Sequence, residues 1–399
     1  MLNRRRRGLL LAGSAVLATV IGMSSAVLTG AIAPAAAVGR QSQAKPAQKE
    51  GKKGPAAKLA EAWPDAATSE AHRAGAEGRP LFASAEPLAL TLTADFEAIN
   101  KIRDPESTTR VPGTLEVPGE VGKTVSFPVQ LGSRGHLRLN PRTCSMVPLR
   151  VEFAKADIKG SVFDGPRELK LVTHCQNDKD SEQNVLAEYL AYRVFNLFTP
   201  RSYRARLVKA TYVDASNKKA PVTKFGMFVE DDGDVAKRTA GRVIPLANAL
   251  FRQLDQDSLV VMSLLQFLIG NTDYSITALH NIRLVQDRQG VFRPVTYDFD
   301  LSGLVNARYA LPARGLGIAT VRDRYYRGPC LTVDAMEPYL APFRAKQAET
   351  LALVDAIPAF DTSRRQDARD FLGEFFSIVN SKGRTKTLLV DRCPKVAGM

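Results

Sequence analysis

Residues 270–300 read GNTDYSITALHNIRLVQDRQGVFRPVTYDFD and follow the strongly apolar run LVVMSLLQFLI. An apolar helix ending here is followed at once by Asp273, then by Asn281, then by Asp298 and Asp300. Between them, NIRLVQ and VFRPVTY read as two short strands joined by DRQG, a loop of turn formers. Pairing Gln286 with Val291 across that turn brings Asn281 near Thr296, with Asp298 just beyond the second strand. The hairpin then collects Asn281 and Asp298 at its open end, beside Asp273. An amide oxygen next to a carboxylate makes a pair of hard oxygen ligands, suited to a magnesium ion that phosphates also hold. A third carboxylate, Asp273, can orient a hydroxyl group and accept its proton. Asp300 is an alternative ligand.

Outward from this stretch the chain divides in character. NALFRQLDQDSLVVMSLLQFLIG, residues 248–270, is too apolar for a surface helix and predicts the centre of a helical region. Helical patterns recur over 334–357 and 362–380. Upstream, LALTLTADF, TVSFPVQL, GHLRL, PLRVEFA, ELKLVTHC, ARLVKATYVD and KFGMFVED read as strands. One helix interrupts them, residues 181–198, with Ser181 as N-cap and apolar positions Val185, Leu186, Tyr189, Leu190 and Val194. The expected organisation is α+β: a β-rich part over 86–230, a connector at VEDDGD (229–234), and a helical part over 231–399 that holds the hairpin. No internal repeat is present.

The 399 residues are 45% hydrophobic and 24% charged, enough for a substantial core. The net charge of +14 is unevenly spread. Arg4, Arg5, Arg6 and Arg7 precede an apolar run ending in small residues near Ala35 to Ala37, the pattern of a signal peptide over 1–37. Paired arginines before the run suit a twin-arginine exporter as well as the general route, and the run is long enough to stay as an uncleaved membrane anchor. The destination is secreted, periplasmic or cell-surface. Residues 38–85 begin as a basic stretch rich in Ala, Lys, Gln, Gly and Pro and read as a disordered linker. What remains is only mildly basic and has no aromatic–basic stripe, so nucleic-acid binding is not expected. The four cysteines, Cys144, Cys175, Cys330 and Cys393, form no CxxC pair, which argues against structural zinc. Export favours disulfides, with three pairings available; sequence proximity selects Cys144 with Cys175 and Cys330 with Cys393, and buried free thiols are the alternative.

The order of loop Asp, downstream Asn, hairpin and Asp matches the requirements of phosphoryl transfer, where charge on the phosphates must be neutralised. Lys170 on ELKLV and Glu188 on the following helix are then a candidate lysine–glutamate pair for gripping phosphates, and FVED is a candidate for backbone contacts to an adenine ring. SRGHLRL with PLRVEF, NVLAEYLAYRVFNLF, and IGNTDYS…HNIRLV…YDFDLSG together resemble the CotH family of spore-coat-type atypical protein kinases. GNTD, the Asn and YD are also similar to HipA-type kinases. The resemblance covers about residues 88–310. It implies a two-lobed protein-kinase-like fold with an antiparallel β-rich N-lobe and a helical C-lobe. It also implies ATP with Mg2+ or Mn2+, and transfer of the γ-phosphate to a hydroxyl of a protein acceptor. Carried onto this chain, Asp273 is the catalytic base and Asn281 and Asp298 are metal ligands. With no GxGxxG present, the loop at Arg134 and Gly135 takes the role of covering the phosphates, and the gripping base is either Lys170 or Arg150. Asn281 lies eight residues after Asp273, where protein kinases place it about five after.

Plainer readings stand beside these. Asp273 can terminate the apolar helix, Asn281 can be a turn residue, Asp298 or Asp300 can pair with Arg308, and Lys170 and Glu188 can sit on solvated faces. VTYDFDLSG also resembles the DxDx(T/S) start of haloacid-dehalogenase phosphatases, with Asp298 as nucleophile and Asp300 as acid–base group. A third reading is an exported scaffold or binding protein without catalysis, because ATP is scarce outside the membrane. VRDRYYRG, residues 321–328, is either an anion or partner site or an ordinary loop.

Overall fold

The computed structural model describes residues 55–120 and 122–393, all within one structural unit, Lys53–Met399. The expected signal peptide and residues 38–54 of the expected linker lie outside the described residues. Helices α1 (Pro55–Ala60) and α2 (Ala66–Glu77) come first. Strand β1 (Leu88–Ala94), helix α3 (Phe96–Lys101), strands β2 (Val111–Pro118), β3 (Thr124–Ser133) and β4 (Leu149–Phe153), helix α4 (Lys155–Ile158) and strand β5 (Glu168–Val172) follow. Helix α5 (Lys179–Phe198) then separates them from β6 (Ala205–Asp214) and β7 (Val222–Val229).

These strands close into a seven-stranded barrel in the order β1-β2-β3-β4-β5-β7-β6. Closure comes from one parallel pairing, β1 with β6, running from Leu88 opposite Val208 to Ala94 opposite Asp214. The other neighbours are antiparallel. Alternation sets the two faces. Leu149, Val151, Phe153, Leu169 and Leu171 fill the interior with Phe127, Phe163 and Phe228. The aromatic rings there meet at centroid distances of 5.0 to 6.2 Å. Val172, Leu207, Met227 and Val229 face outward and belong to a second apolar core with α5.

After the barrel come α6 (Asp232–Arg238), β8 (Arg242–Ile244), α7 (Gln256–Ile269), β9 (Ile282–Gln286) and β10 (Phe292–Thr296). The chain ends in α8 (Val333–Ala345), α9 (Gln347–Asp355), α10 (Thr362–Val379) and α11 (Lys382–Thr385). Strands β8 to β10 form a small antiparallel sheet, order β10-β9-β8. The helices foreseen over 181–198, 248–270, 334–357 and 362–380 all exist, with α7 shorter than its apolar pattern because Asp255 caps it.

The expected two-lobed protein-kinase-like fold is corrected by this architecture. The β-rich part is a closed mixed barrel and not an open antiparallel lobe, because β1 and β6, far apart in sequence, pair in parallel and remove the sheet edge. Nor does a connector divide the chain into lobes, since α5 shares one continuous core with α7, α8 and α10. Residues 229–234 are tied down: the Glu230 N–H donates to the Arg204 carbonyl (3.0 Å), and its buried carboxylate takes Arg204 and Arg238 (2.7 and 3.1 Å). That backbone N–H is therefore committed and not free for an adenine ring.

Smaller differences have local causes. The linker expectation fails from residue 55 onward, where Trp63 lies between the guanidiniums of Arg242 and Arg288 (4.3 and 5.5 Å) and Asp65 caps α2. Those two arginines are remote in sequence, so composition carried no trace of them. GHLRL is not a strand but a short helical turn, Leu137–Leu139. Helix α5 is capped by Asp178, whose Oδ1 accepts the Ser181 N–H at 2.7 Å, and not by Ser181. The disulfides are Cys144–Cys175 and Cys330–Cys393, the pairing proximity selected. VRDRYYRG is an internal strut: Arg322 holds Asp367, Arg324 holds Glu374, and Arg327 holds the carbonyls of Thr272 and Tyr274.

His174, just after β5, makes the fold acid-sensitive. Burial, with Lys224 and Arg138 nearby, pushes its imidazole down to about 4 from the usual 6.5, and the ring packs on Tyr212 at 5.2 Å. The folded state thus resists the proton that the unfolded chain accepts. The His174 contribution to stability is complete above pH 6.5 and is lost as pH drops toward 4, by about 3 kcal/mol over that window. Urea unfolding of His174→Phe, which keeps a ring and loses the titration, is expected to show a curve flatter than wild type between those pH values.

Candidate functional site

Helix α7 ends on Gly270 in the left-handed conformation (φ +64°), whose N–H is taken by the Gln266 and Phe267 carbonyls. Because the glycine closes the helix, Asp273 is not needed as a cap. The buried Asn271 side chain accepts the Asp273 N–H at 3.0 Å and fixes the loop. Asn281 then donates through Nδ2 to the Asp273 carbonyl (2.8 Å) and to its Oδ2 (2.9 Å), and His280 Nε2 lies 2.9 Å from Oδ1. Charge on Asp273 raises the His280 imidazole above its usual value, by hydrogen bond first.

The hairpin register differs by one residue from the expected one: Gln286 faces Phe292, and Asn281 lies beside Tyr297, whose N–H it accepts at 3.1 Å. The turn takes in Val291 because Asp287 Oδ1 accepts both the Gln289 and Val291 N–H groups while Gly290 turns left-handed (φ +82°). Asn281 and Asp298 themselves adopt left-handed backbone (φ +53° and +65°), a conformation that their residue types tolerate better than most. These kinks end the two strands and turn both side chains out of the sheet.

Helix α5 supplies the other wall. Phe299 packs against Tyr192 and Phe195 (4.8 and 4.6 Å), and the Asp298 N–H donates to the Tyr192 hydroxyl at 3.0 Å. With Phe299 wedged there, the residues flanking it, Asp298 and Asp300, face Glu188, one turn before Tyr192. Tyr309 donates to Asp300 Oδ2 at 3.0 Å. Glu188 is only 2% exposed, yet among the described residues its carboxylate takes no hydrogen bond and no ion pair. Burial, then the charges of Asp298 and Asp300, push Glu188 well above the usual carboxylate range, against Arg138 and Arg134. Burial and Asp298 likewise raise Asp300. The Asp298 carboxylate also lacks a hydrogen bond among the described residues.

The basic side is Arg138. It bonds to the Thr173 carbonyl, its buried Nε has no hydrogen-bond partner, and its charge reaches Tyr309, Asp300, Glu188 and Asp298. Its loop is anchored by the Cys144–Cys175 disulfide and by Arg103, which donates to the carbonyls of Leu139 and Cys144 at 3.1 Å each. Arg134 sits on the same loop beside Gly135 (φ +93°), close enough for its charge to act on Glu188 and Tyr192.

Two sequence assignments go elsewhere. Lys170 does not meet Glu188; its Nζ lies 2.5 Å from Asp232, which also takes Arg283 Nε (2.7 Å) and the Tyr203 hydroxyl (3.2 Å). Arg150, opposite Lys170 across β4 and β5, pairs with Glu168 at 3.1 Å. Both point away from the barrel interior and are satisfied by acids on neighbouring segments, contacts that no strand pattern reports. Arg308 pairs with Asp180, not with Asp298 or Asp300. The phosphatase reading loses its scaffold, since β10 ends an antiparallel sheet and is not a strand of a parallel one. Sequence reasoning missed Arg138, His280, Tyr192 and Tyr309. The second arginine of SRGHLRL and the His before Asn281 were the only signals, and both are ordinary in isolation.

Chemically, the site sets Glu188, Asp298 and Asp300 against the half-buried Arg138 guanidinium, next to the Asp273–Asn281 pair. Among the described residues no three His, Cys, Asp or Glu side chains are grouped to hold a metal ion by themselves. Two carboxylates and the Asn281 amide can do so only with ligand oxygens added, the manner in which magnesium binds beside phosphates.

A buried acid that resists ionising destabilises the fold as pH rises. Above the unfolded value of about 4.5 the unfolded chain loses the Glu188 proton while the folded one keeps it. The Glu188 contribution to stability therefore declines by up to about 1.4 kcal/mol per pH unit in that window. In chelator-containing buffer, Glu188→Gln is expected to match wild type near pH 4.5 and to exceed it increasingly toward neutral pH in denaturant melts.

Compared with known proteins, no family model matches this chain and no curated protein sequence matches it.

Proposed function

We propose that this protein is an exported phosphotransferase that moves the γ-phosphate of ATP to a hydroxyl of a protein acceptor. The observation that carries the reading is Glu188, buried and, among the described residues, unpartnered against Asp298 and Asp300, with a half-buried arginine across from them. An excess of dry carboxylate is costly and is relieved by a divalent cation that brings phosphate oxygens with it. Asn281, Asp298 and Asp300 would hold Mg2+ or Mn2+. When bound, the cation supplies charge neutralisation along the phosphates.

The remaining work falls to the chain itself. Arg138, with Arg134 at the loop, faces the transferring phosphate and takes the place assigned from sequence to Lys170 or Arg150. Asp273 accepts the proton of the acceptor hydroxyl as its oxygen bonds to the γ-phosphorus and the bond to ADP breaks. His280 and Asn281 each occupy one oxygen of Asp273 and orient the carboxylate, leaving further lone pairs for the proton. The two disulfides fit an oxidising, extracellular compartment, and among the described residues no helix is long and apolar enough to cross a membrane. A second reading, nucleotide binding without turnover, is favoured by those same two bonds that hold Asp273.

The mature, disulfide-intact protein with radiolabelled ATP, Mg2+ or Mn2+ and a generic protein acceptor decides between them. Transfer is expected in wild type, and Asp273→Asn should lower it by about 10²- to 10⁴-fold while keeping the nucleotide-dependent rise in melting temperature. A thermal shift without label selects the binding reading. Neither label nor shift with either metal discards both, and labelling that survives Asp298→Ala removes the metal assignment.

A further inference from the structure

Apart from the acidic site, the molecule holds a cavity of about 440 Å³, within the range of about 300–1,000 Å³ typical of small-molecule sites. It lies between the C-terminal end of α5, the first turns of α7 and strand β10. Phe195, Phe198, Met262 and Leu265 give it apolar walls. Two observations mark it as a binding site and not a packing defect. Thr296, 2% exposed, lines it, and its buried hydroxyl has no hydrogen-bond partner. Such a group is costly to bury unless something accepts or donates to it. Arg201 lines the same cavity, and its guanidinium forms no ion pair or hydrogen bond among the described residues.

The other charged groups on the wall decide the charge of the occupant. Arg293 is engaged by Asp287 and lies 3.8 Å from Asp255. Asp255 caps α7 through the Ser258 N–H (2.9 Å) and hydroxyl (2.5 Å), and Asp257 accepts the Tyr339 hydroxyl at 2.5 Å. With these acids and Arg293 occupied, Arg201 is the cation left over. Burial and the neighbouring Arg293 charge press against it, offset in part by Asp255 and Asp287, and a single anion would offset the rest. A dianion would meet Asp255 and Asp257 in the same wall, and a cation would meet Arg201.

We propose that this cavity binds a small carboxylate with a compact apolar body, its carboxylate held between the Arg201 guanidinium and the Thr296 hydroxyl. The apolar body rests on Phe195 and Phe198. Phe195 also stacks on Phe299 at 4.6 Å, so one wall of the cavity is shared with the residue between Asp298 and Asp300. The proposal does not depend on phosphoryl transfer.

Calorimetry and thermal shift on the mature, disulfide-intact protein test it with phenylacetate and 4-methylpentanoate. Phenylacetamide serves as the uncharged control and phenethylamine as the cationic one. Saturable binding of the carboxylates is expected, at least about tenfold tighter than the amide, the worth of one charge-assisted hydrogen bond. Arg201→Met and the near-isosteric Thr296→Val should each weaken it by about tenfold, with unliganded melting close to wild type for both. Arg288→Met, on another surface, should leave it unchanged. The idea is overturned by no saturable carboxylate binding, by equal binding of phenylacetamide, by a preference for phenethylamine, or by binding that survives both substitutions.

Discussion

Helix α5 is the element on which both the core and the acidic site depend. It is buried between the outer face of the barrel, at Leu207, Met227 and Val229, and the C-terminal helices around Phe343 and Phe375. Tyr192 and Phe195 grip Phe299 from this helix. Each such ring contributes about 1.5–3 kcal/mol by burial. One turn earlier the same face presents Glu188, a group that costs stability where it stands. Apolar packing along α5 thus holds a carboxylate in a place that solvation alone would forbid.

The molecule handles its charges in two opposite ways around Tyr297. Beside that ring, Asp232 has Lys170, Arg283 and Tyr203 as partners, and its carboxyl is held down to about 2. That cluster is complete and ties β5 to α6 and β9. A residue further along, Asp298 enters a group of acids faced by Arg138 and Arg134. A finished ion network explains structure, whereas an unfinished one invites a ligand, and the contrast is visible within one chain segment. Arg138 owes its position to a loop clamped by a disulfide and by Arg103, which connects the Cys144–Cys175 bond to the geometry of the site.

Much of the site was legible in the stretch 270–300. The apolar run predicted a buried helix, DRQG predicted a hairpin, and the hairpin brought Asn281 to Asp273 and placed Asp298 near its open end. Those are contacts between residues close in sequence, where turn chemistry and strand period set the outcome. The misplaced ion pairs involve distance along the chain, whereas the register slip at Val291, the Asp178 cap and the GHLRL turn are local. Lys170 was matched to Glu188 on the following helix, but Asp232, which Arg283 also holds, reaches it across the fold. Arg138 stood in a segment that looked like a strand, and nothing local separates a buried, half-partnered arginine from a solvated one.

The sequence by itself determined the helical stretches over 181–198, 248–270, 334–357 and 362–380, most of the strands and the gathering of oxygen-bearing side chains at one hairpin. Each of these follows from period, capping or turn preference over a few residues. Tertiary structure alone decided that β1 lies parallel to β6 and closes a barrel, that α5 joins the C-terminal core, and that Trp63 pins an otherwise featureless leader onto Arg242 and Arg288. It also decided which charges are satisfied and which are left waiting. The reason is physical: burial and ion pairing are properties of what surrounds a side chain, and for Glu188, Arg138 and Lys170 the surroundings come from segments far away in the chain.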